Sequence, residues 1–194
     1  LVACAACTAH QGSITARCAP MRAACLQCIV IALVGARTVL NVRDYGAVGD
    51  GVKDDTEAFE QAIAAVGKGK VVSGANAQDE VLVPCCGTNC SYLIRPLNLT
   101  SSMELHIASG ATLIGAAHVD LWPVILPAPS YGQGRDHPGP RHTSLLHGEH
   151  LHNVAIRGDG PASVLDGQGE YWWARKRTHV EKYTRGHLIE LMYT

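Results

Sequence analysis

Two apolar rhythms divide the chain. Over residues 55–66, Phe59, Ala62, Ile63 and Val66 recur at the three- and four-residue spacing of an amphipathic helix. Asp54 stands where an N-cap belongs, with Glu57 three residues on as its capping-box partner, and Gly67 and Gly69 close the helix. Ahead of the helix, Val42 and Tyr45 suit a short strand. Gly46, Gly49 and Gly51 permit turns there that other residues resist.

After the helix the helical period disappears. VLVP at 81–84, YLIRPLNLTSS, MELHIASGATLIGA, SLLHGEHLHNVAIRGDG, SVLDGQG and HLIELMYT read as successive short strands. Within MELHI, Met103, Leu105 and Ile107 share one face. Turns fall at Ser109-Gly110, Gly158-Asp159-Gly160 and Gly167, and a further helix is expected only at about residues 171–182. Hairpin signals such as Asn-Gly are missing, which argues against a β-sandwich. Short strands joined by short turns fit a solenoid whose stacked coils share one core, with the amphipathic helix as its cap. Residues 122–142, rich in Pro and Gly and without period, read as a long excursion from one coil.

The first residues do not belong to this pattern. Met21 and Arg22 precede ACLQCIVIALVGA at 24–36, which ends in small residues. A positive start, an apolar middle and a small-residue end are the grammar of a secretory signal peptide. Residues 21–36 are therefore expected to be a signal peptide, residues 1–20 a non-native upstream segment, and residues 37–194 the solenoid. A buried N-terminal helix is the alternative.

Composition narrows the function classes. The chain has 194 residues and a net charge of −1, so nothing in its charge suggests a nucleic-acid partner. Of its eight cysteines, Cys4, Cys7, Cys25 and Cys28 match a zinc-ribbon spacing, but their apolar, Ala-flanked context opposes metal. Beyond the expected signal peptide stand Cys85, Cys86 and Cys90. Adjacent cysteines bridge only with strain, so Cys86 with Cys90 is the expected disulfide. Asn89 and Asn98 begin glycosylation sequons.

The run DGQGEYWW at 166–173 invites a catalytic reading. It carries two carboxylates, Asp166 and Glu170, and two of the three tryptophans. Against that, Gly167 and Gly169 mark a turn, where Asp bonds backbone N–H groups. Asp54 and Asp55 suit helix capping better than catalysis. His137, His142, His147, His150 and His152 cluster in sequence without a metal-ligand spacing, although His150 and His152 would share a strand face. No metal and no cofactor are expected.

Several segments carry a family resemblance. DYGAVGDGVKDDTEAFEQAI resembles the opening motif of the pectin-lyase-like, right-handed parallel β-helix superfamily, and VLVPCCGTNCSYLIRPLNLTSSMELHIASGATLIGA resembles its following coils. WPVILPAPSYGQGRD, VLDGQGEYWW and YTRGHLIELMYT resemble the plant branch of polygalacturonases, glycoside hydrolase family 28. Where that family has Pro after the Arg of the last motif, this chain has Gly186.

The resemblance implies an all-β, right-handed parallel β-helix and hydrolysis of α-1,4-galacturonan with inversion, by an Asp acid and an Asp pair that activates water. The family's catalytic Asn-Thr-Asp, Gly-His-Gly and Arg-Ile-Lys motifs do not occur here, and the Asp54-Asp55 pair sits at a helix start. No catalytic residue is carried over, and the chain reads as the N-terminal coils of such an enzyme, truncated before its catalytic segment. A non-catalytic polysaccharide-binding β-helix or decayed gene product, and a pectate-lyase-like eliminase, are the alternatives. A polyuronate carries a carboxylate on each sugar, so cations and aromatic platforms are the binding candidates: Arg135, Arg141, Trp172, Trp173 and Arg185. The expected partner is pectic polysaccharide. The protein is expected to be secreted to the cell wall, free of membrane after signal removal, and monomeric when full length.

Overall fold

The computed structural model describes residues 37–68, 78–85, 87, 90–127 and 139–194. All of them lie in the unit Gly35–Thr194; the unit Leu1–Val34 lies outside the described residues, and with it the signal-peptide and zinc-ribbon segments.

The described chain winds in four coils. The first holds β1 (Val39–Asn41), a 3-10 turn (Val42–Tyr45), β2 (Asp50–Asp54) and α1 (Thr56–Ala65). The second holds β3 (Asp79–Val83), β4 (Ser91–Ile94) and β5 (Leu97–Asn98). The third holds β6 (Met103–Ile107) and β7 (Thr112–Gly115), then an excursion through β8 (Val124–Ile125) and β9 (Arg141–His142), then β10 (Leu146–Glu149). The fourth holds β11 (Val154–Gly158), β12 (Val164–Asp166), α2 (Gly169–Arg177) and β13 (Ile189–Met192).

Equivalent strands stack in three parallel sheets, β1-β3-β6-β11, β2-β4-β7-β12 and β5-β10-β13. This is a parallel β-helix. Its register places like on like: Val81 beside Leu105 beside Ile156, Tyr92 beside Leu113 beside Leu165, and Leu97 beside Leu146 beside Ile189. Because side chains alternate across a strand, in-register stacking carries inward residues onto the inward residues of the next coil; among the described residues the register slips only between β2 and β4. Val81, Tyr92, Leu97, Leu105, Leu113 and Leu146 are buried as a result. Each such aliphatic chain contributes about 1.5–3 kcal/mol.

Met103, Leu105 and Ile107 face inward as the alternation predicts, but the other face of β6 is buried too. Glu80, Glu104 and His106 lie there in an ionic ladder with Arg37, Arg157 and Asp159. Arg157 Nε donates to Glu104 at 2.6 Å, and His106 Nε2 meets Asp159 at 2.7 Å. The alternation in MELHI placed only Met103, Leu105 and Ile107 on the inward face. It could not show that charges from neighbouring coils would cover one another.

α1 forms where the apolar spacing put it and packs on β1, β5 and the 3-10 turn, burying Ala58, Phe59, Ala62 and Ile63. Phe59 meets Tyr92 edge-on at 5.8 Å. The expected capping box does not form. The N-cap is Asp55, not Asp54, and its side chain makes no cap bond. Asp54 accepts from Thr56 N at 3.0 Å. Asp55, only 1% exposed, reaches backward and accepts from Val48 N at 2.8 Å and Gly49 N at 2.9 Å. Gly49 has φ +73°, and a Cβ there would stand 2.8 Å from the Tyr92 ring. A buried carboxylate thus ties the glycine turn to the helix. Residues 42–45 form the 3-10 turn rather than the expected strand, because Asn41 accepts from Arg43 N and Gly46 ends the turn at φ +97°. Gly67 follows α1 at φ +75° as expected, whereas Gly69 lies outside the described residues.

The disulfide joins Cys85 to Cys90, with Cα atoms 5.0 Å apart, and replaces the expected pairing of Cys86 with Cys90. The five-residue separation lets the two Cα atoms reach ordinary bridging range. Cys86 and Asn89 lie outside the described residues, and Asn98 is exposed on β5.

Candidate functional site

DGQGEYWW folds as a strand end, a tight turn and a helix start. Asp166 ends β12, and its carboxylate accepts from Gln168 N at 2.8 Å and Gln168 Nε2 at 2.6 Å. That bracket supports Gln168 at φ +53°, and α2 begins at the next residue. The helix starts and stops earlier than the expected 171–182. Thr178 closes it by donating its hydroxyl to Ala174 O at 2.9 Å, and His179 follows at φ +57°. Asp166 is therefore a turn residue, and Glu170 is exposed in the first turn of α2.

α2 delivers its aromatics to a cavity of about 710 Å³, walled by Trp122, Trp172, Trp173, Gly167, Arg185 and His187 among others. Trp172, 6% exposed, meets Trp122 edge-on at 5.1 Å, and Tyr171 at 5.5 Å. Trp122 is held by its own Nε1, which donates to Ala116 O at 2.8 Å. Tyr171 Oη accepts from Val119 N at 2.9 Å. Trp173 is 50% exposed, and the Arg185 guanidinium lies 3.9 Å from its ring centroid. A half-exposed indole beside a guanidinium suits a ligand with both a flat sugar face and an anionic group.

The cavity gathers Trp172, Trp173 and Arg185, three of the five binding candidates. Arg141 is not among them. It is 0% exposed, and its Nη2 donates to both oxygens of Glu190 at 2.6 Å, so it is a core ion pair rather than a substrate contact. Its partner Glu190 comes from β13, 49 residues further along the chain, which the sequence could not show. Arg135 lies outside the described residues. Trp122 and His187 were missed as site residues. Their only signal in the sequence is adjacency to the excursion and to Arg185.

β8 and β9 pair antiparallel and close the base of the excursion expected over residues 122–142, of which 128–138 lie outside the described residues. His150 and His152 do not share a strand face, because His150 sits at φ +53° and stacks on Tyr193 at 4.9 Å. Among the described residues no group of three or more His, Cys, Asp or Glu side chains is arranged to hold a metal.

Residues 39–134 match the family described as "Rhamnogalacturonase A/epimerase, pectate lyase-like". A probable polygalacturonase of Vitis vinifera is 40% identical over 151 residues, which are 78% of this chain and 29% of that protein. A probable polygalacturonase of Arabidopsis thaliana is 29% identical over 73% of this chain and 26% of its own length. Among solved structures, a hyperthermoactive exopolygalacturonase from Thermotoga maritima has a TM-score of 0.52 at 26% identity, covering 81% of this chain and 33% of that one. A putative glycosyl hydrolase from Parabacteroides merdae shares the fold, with a TM-score of 0.51 at 15% identity over 80% of this chain and 57% of that one. The chain thus spans under a third of the length of these two plant relatives.

Proposed function

The chain belongs to the right-handed, pectate-lyase-like β-helix family, on the side of the polygalacturonases, and from that premise we propose that it serves hydrolysis of pectic galacturonan in the plant cell wall. The observation that carries this reading is the identity to the Vitis vinifera polygalacturonase, which runs along most of the chain. The cavity supports it with a stacking surface, Trp173, and a carboxylate partner, Arg185.

These coils bind rather than cut. Inverting hydrolysis needs an acid and a base set roughly 6.5–9.5 Å apart with a water between them. Asp54 is tied to Thr56 and Arg95, Asp55 to the glycine turn, and Asp166 to Gln168. Their oxygens support backbone, and none of these three lines the aromatic cavity. The Cys85–Cys90 disulfide fits an oxidising compartment and therefore secretion.

The test is binding and turnover by the 194-residue chain. We expect oligogalacturonates to bind and neutral oligosaccharides of equal length to bind weakly. Arg185→Gln should weaken galacturonate binding about tenfold, the order of one charge-assisted contact. No reducing ends should appear from polygalacturonan above a blank. Equal binding of neutral and acidic chains would overturn the substrate, and clear turnover would overturn the division of labour.

A further inference from the structure

The chain has three tryptophans, and all of them line the cavity. They arrive on two separate excursions from the solenoid. Trp122 precedes β8 in the third coil, while Trp172 and Trp173 ride on α2 in the fourth. The backbone joins these excursions at a bridge, where His142 N donates to Thr184 O at 2.9 Å, and Tyr171 Oη accepts from Val119 N. One buried side chain also joins them, His142 at the end of β9.

His142 is 2% exposed. Its Nδ1 lies 3.1 Å from the Trp122 carbonyl oxygen, and its Nε2 lies 3.0 Å from Glu181 Oε1. Trp122 O belongs to the first excursion and Glu181 to the second. The other oxygen of Glu181 accepts from Arg175 Nε at 2.9 Å, on α2 itself. The His142 ring also faces Trp172 at 5.2 Å and Tyr183 edge-on at 5.7 Å.

Both partners of the ring are acceptors. A carbonyl oxygen and a carboxylate oxygen have no proton to give, so each ring nitrogen must donate. The two bonds form together only when the ring carries both protons. A singly protonated ring keeps one bond and gives up the other, so one excursion loses its link to the ring.

We propose that His142 is a cationic clasp, a positioning residue that joins the two excursions and so assembles the aromatic cavity. The surrounding charges agree with this. Glu181 supplies the counter-charge, and Arg175 holds Glu181 in place from the far side. The remaining charged groups at the neighbouring cavity that His142 also lines are Asp120 and Lys182. The consequence for saccharide binding rests on the reading of the cavity given above. The clasp itself can be tested without a ligand.

Ligand-free, the wild-type chain at about pH 6, inside the range where histidine changes charge, should show two slowly exchanging ring N–H signals for His142 in an imidazole-tuned nitrogen–proton spectrum. One such signal, or none, overturns the clasp. Because all three tryptophans line this cavity, fluorescence is a second reading. At that pH the emission of His142→Gln should exceed that of the wild type, since the charged ring beside Trp172 is gone, and that of His152→Gln, whose histidine is exposed, should not. Equal emission in His142→Gln and the wild type overturns the proposal. His142→Gln should also weaken oligogalacturonate binding about tenfold; unchanged binding would show that the clasp does not position the cavity. If neither form binds galacturonate, the saccharide reading fails, while the two ring signals still support the clasp.

Discussion

At the scale of single residues, two close fits set expectations that composition would not suggest. Arg141 is fully buried, and its Nε and Nη1 find no acceptor among the described residues, so Glu190 carries its counter-charge. Removing one partner strands a charge in the interior, whereas losing a surface pair costs little. Glu190→Gln should therefore destabilise by about 3–5 kcal/mol, read as a lower denaturation midpoint at unchanged slope. A loss below about 1 kcal/mol would mean that water reaches the guanidinium. Gly186 is the second case. A Cβ there would stand 2.0 Å from the Thr143 carbonyl oxygen, so the segment carrying Arg185 and His187 lies hard against the chain after β9. Gly186→Ala should cost about 1–3 kcal/mol, the usual range for overpacking, and should weaken ligand binding by displacing Arg185. Wild-type stability and affinity together would refute the close approach.

At the scale of elements, the ionic ladder over β3, β6 and β11 gives the sheet a pH response. Burial works to raise the Glu104 carboxyl, but hydrogen bonds from Arg157 and Arg37 outweigh it and hold the group below its ordinary value. Glu181 is similar: burial raises it, and Arg175 and His142 more than compensate. A carboxyl depressed in the folded state adds stability above its unfolded value, and that stability is lost as pH falls through the folded value. The thermal midpoint should therefore hold from neutral pH down to about 4.5 and fall below it, near the ordinary glutamate range. Glu104→Gln should make that fall shallower. A midpoint that declines steadily from neutral pH downward would assign the acid response to other groups.

At the scale of the molecule, the three parallel sheets of the described residues end on the same coil. Among the described residues β11, β12 and β13 each have a strand neighbour on one side only. Val164, Leu188, Ile189, Leu191 and Tyr193 are exposed there. Unpaired parallel edges flanked by apolar side chains invite pairing with another chain. The 194-residue chain should self-associate at micromolar concentration, and Ile189→Lys with Leu191→Lys should reduce that association in light scattering. A monodisperse wild-type monomer that melts cooperatively would contradict it.

What the sequence determined by itself is what repeats locally. The spacing of Phe59, Ala62 and Ile63 specified α1, and the alternation in MELHI specified an inward face, because both depend only on the geometry of one segment. The mismatch between many short strands and missing hairpin turns specified a solenoid. What only the tertiary structure decided depends on which coil lies beside which. Arg141 and Arg185 look alike in sequence, yet one is locked to Glu190 in the core and the other stacks on Trp173 at the cavity. The disulfide partner of Cys90, the backward reach of Asp55 and the burial of Glu104 and His106 were settled the same way, by neighbours distant in the chain or by the exact path of a turn. A polar side chain's role follows from its partners, and in a stacked coil most of those partners arrive from another turn of the helix. DGQGEYWW shows both halves: its turn chemistry is written locally, but the cavity it helps to form needed Trp122 and Arg185 to be brought to it.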